Sequence, residues 1–161
     1  EAQPDKRIHD KAPGLADGER IQIIGSIAEC AGAKVCGVVW PKRRGNFKGA
    51  DLDPNIEVRL IGADHYGLRI TPRDVDSRRV VGVIIPFFGA RGAYRVPGWI
   101  NAKHGKRPEW LMDPNGRQQP MYAVPQDRLH PISVLRDLIS DECGAMTRDH
   151  SHASGERWTP Q

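Results

Sequence analysis

Apolar positions recur along this chain in three different rhythms, and each predicts a different kind of element. From Asp17, a plausible N-cap, Ile21, Ile24, Ala28, Ala31 and Val35 follow helical spacing, and Gly37 is the natural stop. The neighbouring face of this helix carries Gly25, Gly32 and Ala33, small enough to approach a sheet closely. Residues 55–61 alternate instead. Ile56, Val58 and Leu60 point one way and Glu57 and Arg59 the other, as in a half-buried strand. Tyr66–Thr71 is expected to return beside it after a turn. Residues 79–88 form a nearly continuous apolar run, the pattern of a central strand covered on both faces.

Further strands are expected at Tyr94–Ile100, interrupted by Pro97 and Gly98, and at Gln119–Val124. A closing helix then runs through Ile132, Leu135, Leu138 and Ile139, with Pro131 near its first turn. Residues 1–15 read as a flexible lead-in and 142–161 as a disordered tail. That leaves one domain over 16–141, an α/β fold with a central mixed β-sheet flanked by helices.

Composition narrows the class. With 161 residues, 39% hydrophobic and 27% charged, the chain can bury a genuine core. No apolar run approaches the roughly 20 residues that cross a bilayer, and no secretory apolar region opens the chain. Cys30, Cys36 and Cys143 include no CxxC pair, so neither a zinc ribbon nor a disulfide framework is expected, and a cytoplasmic location is the natural one.

The net charge of +4 is unevenly spread. Lys42, Arg43, Arg44 and Lys48 precede an acidic turn, and Lys103, Lys106 and Arg107 form a second group. Either can follow a phosphate backbone, although a solvated basic surface has the same composition.

The candidate chemistry lies where the first basic group meets the alternating strand. Asp51 and Glu57 offer hard oxygen ligands suited to magnesium, which keeps several waters and needs only one or two carboxylates. Arg59 shares a face with Glu57 and can clamp a phosphate oxygen, but cannot act as a base. The plainer reading is an Asp-Pro-Asn turn before a strand with a Glu–Arg pair. Glu29 reads either as an additional carboxylate reaching the same place or as a solvated helix residue. Trp99 and Trp110, interleaved with basic residues, suggest base stacking or, more simply, packing. His65 reads as a proton shuttle near the metal or, better, as a turn residue, and Asp74 and Asp76 read as extra ligands, although turn chemistry explains them fully. His150 and His152 lie in the polar tail.

The order of these residues resembles the PD-(D/E)XK nuclease superfamily, and more closely its small phage-type and bacterial members. The matching text is Gly25–Lys34 around Glu29, then Ala50-Asp51, then Ile56-Glu57-Val58-Arg59, with Val96–Ile100 and Tyr122–Pro125 further on. The resemblance implies a restriction-endonuclease-like αβββαβ core that cleaves DNA with Mg2+ or Mn2+. It assigns the motif aspartate to Asp51, the motif glutamate to Glu57, the motif lysine position to Arg59 and the helix glutamate to Glu29. Arg59 replaces the usual lysine, and Asp51 and Glu57 stand closer together than is usual, so the chain must turn tightly between them. A catalytically inactive nucleic-acid-binding or accessory module of the same fold is therefore one alternative, and a protein-interaction module using the Trp99 and Trp110 region is another. A homodimer is compatible with all three.

Overall fold

The computed structural model describes residues 17–40, 50–85, 93–112 and 120–149. In chain order these contain α1 (Asp17–Cys36), β1 (Ile56–Leu60), β2 (Leu68–Ile70), β3 (Arg79–Ile84), β4 (Arg95–Asn101), α2 (Ala102–Gly105), β5 (Leu111–Met112), β6 (Met121–Val124) and α3 (Ile132–Asp149). The fold is α/β, with a mixed sheet and an antiparallel sheet flanked by helices.

β3 is the middle strand of the mixed sheet, ordered β1-β3-β4. Its pairing with β1 is parallel, Val58 opposite Val81, and with β4 antiparallel, Val81 opposite Trp99. The unbroken apolar run has a direct cause. Val81 and Val83 face a core completed by Ala28, Ala31 and Cys36 of α1 and by Leu135 and Ile139 of α3. Val80 and Ile84 face a second core with Leu68, Ile70 and Val124, contributed by the antiparallel sheet β2-β6-β5. The layers are therefore helices, mixed sheet and antiparallel sheet. The predicted central strand is present over Arg79–Ile84, and residues 86–88 of the expected run lie outside the described residues.

Three expectations change. β2 does not return beside β1; it pairs with β6, Arg69 opposite Ala123, in the other sheet. The chain crosses from one sheet to the other and back before β3 takes the place next to β1. The apolar stripe of α1 is buried only in its later turns, while Ile21 is 64% exposed. Close packing reaches only the later small residues: a Cβ placed on Gly32 would stand 2.7 Å from Cγ2 of Val58 on β1, whereas one on Gly25 would meet nothing within 4 Å. α3 also continues past Asp141 to Asp149.

The entry to α3 is fixed by β4. Trp99 exchanges backbone hydrogen bonds with His130, at 3.0 and 2.8 Å, and its indole N–H donates to the Pro131 carbonyl at 3.2 Å. Gly98 allows this approach. Its φ is +153°, and a Cβ there would collide with the His130 carbonyl oxygen. Pro131 precedes the first helical residue, where its missing N–H costs nothing.

Candidate functional site

The site is built on β1 and the turn before it. Leu52, fully buried, bridges to Ile56 through two backbone hydrogen bonds of 2.9 Å, so residues 53–55 close a tight turn. The turn contains a cis Asp53–Pro54 bond and Asn55 at φ 57°. Asn55 is tied down by donating to the Ser77 carbonyl at 2.9 Å. The close spacing of Asp51 and Glu57 is accommodated in this way.

β1 is an edge strand, and its outer edge offers the Val58 N–H. The Asp51 carboxylate accepts it at 2.7 Å, which fixes Asp51 beside the strand. Glu57 and Arg59 share the face of β1 opposite Val58. Glu57 accepts from Arg78 at 2.9 Å and lies 3.5 Å from Arg59. Arg59 in turn donates to Asp74 at 2.6 Å and to the Arg69 carbonyl at 3.1 Å. From the helix side, Glu29 is half-buried and accepts from the Trp40 indole at 3.2 Å.

Electrostatics ties the three carboxylates together. Burial raises the Asp51 pKa above its ordinary 3.8; the Val58 N–H works against this, the charge of Glu29 adds to it, and Arg59 and Arg78 oppose it. Burial likewise raises Glu57 above 4.5, followed by repulsion from Asp51, with Arg59 and Arg78 opposing. A half-buried carboxylate held above its ordinary pKa by a neighbouring negative charge is relieved when a cation approaches. Among the described residues no three His, Cys, Asp or Glu side chains are arranged to hold a metal ion. Asp51 is thus within electrostatic reach of both Glu29 and Glu57.

The remaining candidates separate. Lys42, Arg43, Arg44 and Lys48 lie outside the described residues, as do His150 and His152. Lys103 is exposed on α2. Lys106 is spent on the protein itself, donating to the carbonyls of Pro72 and Asp74 and to the Asp76 carboxylate. Arg107 stacks over the Trp110 ring, 5.0 Å from its centroid. Trp99 is core, 7% exposed, which takes it out of any contact surface. His65 is exposed and lies edge-on to Tyr66. Cys36 is also core, and burial pushes its thiol up to about 11. Among the described residues no helix is long and apolar enough to cross a membrane.

Sequence reasoning missed Arg78 as the partner of Glu57 and Asp74 as the partner of Arg59. For Asp74 the available signal was its place three residues after Thr71, whose N–H it accepts at 2.7 Å. That spacing announces a side-chain-capped turn, but nothing in it points to Arg59. Arg69 and Arg73, exposed on β2 and on this turn, were also passed over.

Comparison of the chain with protein-family models, with curated proteins and with solved structures finds no match.

Proposed function

We propose that this protein is a metal-dependent nuclease that hydrolyses phosphodiester bonds in DNA, built on a restriction-endonuclease-like core. The observation that carries the reading is the charge coupling that runs from Glu29 to Asp51 and from Asp51 to Glu57, with the pKa of both Asp51 and Glu57 raised. A helix bearing one carboxylate, a tight turn bearing the second and a strand bearing the third, beside a guanidinium, is the order this reading requires.

The donor set suits Mg2+ or Mn2+, since it consists of hard carboxylate oxygens. Bound there, the ion supplies polarisation of a phosphate oxygen and a more acidic water. Asp51 and Glu57 would hold it. Arg59, held by Asp74 and the Arg69 carbonyl, would steady negative charge that builds on a phosphate oxygen. Exposed Arg69, Arg73 and Lys103 would meet the flanking backbone.

A second reading is favoured by a specific arrangement. Both Glu57 oxygens already face guanidinium groups, and one Asp51 oxygen is held by Val58. A member that binds nucleic acid without cutting would look like this.

Cleavage of plasmid and branched DNA with Mg2+ or Mn2+, for wild type, Asp51→Asn and Glu57→Gln, separates the two. Metal-dependent cutting lost in both variants establishes the nuclease. Salt-sensitive DNA binding by wild type with no cutting under any of these conditions establishes the binding module.

A further inference from the structure

Lys106 and Asp74 stand outside the carboxylate site, yet both lead to Arg59. The Lys106 ammonium has three donors and uses all three on one loop: the Pro72 carbonyl at 3.2 Å, the Asp74 carbonyl at 2.6 Å and the Asp76 carboxylate at 2.7 Å. Its side chain is only 17% exposed, and its bond to the Asp74 carbonyl is part-buried, while the Asp76 carboxylate is open to solvent. The start of α2 holds the same loop by its backbone, Lys103 N–H to the Asp76 carbonyl at 3.1 Å and Ala102 N–H to the Arg78 carbonyl at 2.8 Å. Gly105 seats α2 against Ile70 and Val124 in the second core, which fixes the base from which Lys106 reaches.

The loop so held presents Asp74. One carboxylate oxygen accepts the Thr71 N–H at 2.7 Å, leaving the other aimed at Arg59 at 2.6 Å. The Asp74 side chain is 11% exposed and that of Arg59 is 21% exposed, so the pair is sheltered but still reachable from solvent. A guanidinium has five N–H donors in a rigid plane. With Asp74 and the Arg69 carbonyl taking one donor from each terminal nitrogen, the plane of Arg59 is set.

We infer that Asp74, on a loop clamped by Lys106, is a positioning residue that orients the Arg59 guanidinium toward the backbone phosphate. This inference rests on the nuclease reading for the role of the phosphate, though not for the orientation of Arg59. It also gives Lys106 a role other than contact with DNA.

The test pairs Asp74→Asn with Lys106→Met and reads two quantities. One is the 15N-edited resonance of the Arg59 Nε–H, assigned with Arg59→Lys; an immobilised guanidinium gives a sharp, slowly exchanging signal. The other is the division of the cleavage defect between kcat and KM on a short DNA duplex with Mg2+. The expected result is a broadened Arg59 signal in both variants, with kcat lower by about 10- to 100-fold in Asp74→Asn and KM nearly unchanged. A purely structural role would lower the folded fraction and leave the Arg59 signal of the folded molecules intact.

An Arg59 signal that stays sharp in both variants overturns the inference, whatever happens to cleavage. A signal lost in both, from a wild type that cuts no DNA, supports the positioning and overturns the nuclease reading alone. Should Asp74→Asn fail to fold, Lys106→Met carries the test, because it leaves the Asp74–Arg59 pair chemically intact and loosens only the loop.

Discussion

Asp51 and Glu57 hold their protons more tightly in the fold than in the unfolded chain. The stability associated with each is complete below its ordinary value, 3.8 or 4.5, and is lost as pH rises through the raised folded value. At neutral pH both carboxylates therefore work against the fold. Asp51→Asn keeps an oxygen for the Val58 N–H and removes the charge. Its melting temperature near pH 7 should exceed that of wild type, with the gap closing in acid; thermal melts across that range check this. A wild type that melts higher at neutral pH would mean that the site does not resist its own charge. Glu57→Gln should behave in the same direction. The chemistry at this scale was partly legible: Asp51, Glu57 and Arg59 stand out because alternation puts the last two on one face. Arg78 did not stand out, because its meeting with Glu57 depends on how β1 lies beside β3, which residue type alone does not state.

At the scale of elements, close approach decides where the helices sit. Gly32→Val would drive methyl groups into Val58 and push α1 off β1, at a cost of about 1–3 kcal/mol in denaturant unfolding. Gly98→Ala faces a strained φ and the His130 carbonyl together, and should cost about 2 kcal/mol or more while loosening the entry to α3. The indole fluorescence of Trp99 is a convenient reporter of that loosening. β3 was legible because burial on both faces leaves no polar position in the pattern. β2 was misplaced for a physical reason: Leu68 and Ile70 around Arg69 satisfy either a hairpin with β1 or an antiparallel pairing with β6. Only the long-range packing against the second core chooses between them. The end of α3 was hidden because its last turns are polar, and polarity reads equally as a solvated helix or a tail.

For the whole molecule, the mixed sheet divides the interior into two cores that share β3. Leu135 lies in the core beneath the helices and Leu68 in the core between the sheets, both fully buried. Truncating either to Ala should cost about 2–5 kcal/mol. Because one strand serves both cores, each variant should still unfold in a single step, with helix signal and aromatic environment lost together. A further expectation concerns the metal. Millimolar Mg2+ or Mn2+ should raise the melting temperature of wild type and leave the Asp51→Asn, Glu57→Gln double variant unmoved, since a ligand stabilises only the state that binds it. The Asp51–Val58 hydrogen bond has one more consequence, for how the chain meets its neighbours. An edge strand with a bare N–H is a template on which another copy can add a strand, and the Asp51 carboxylate both occupies that donor and places negative charge on the approach. Asp51→Ala would strip away both protections and invite edge-to-edge association, so a loss of activity in that variant would be confounded by self-assembly, whereas Asp51→Asn keeps the strand covered.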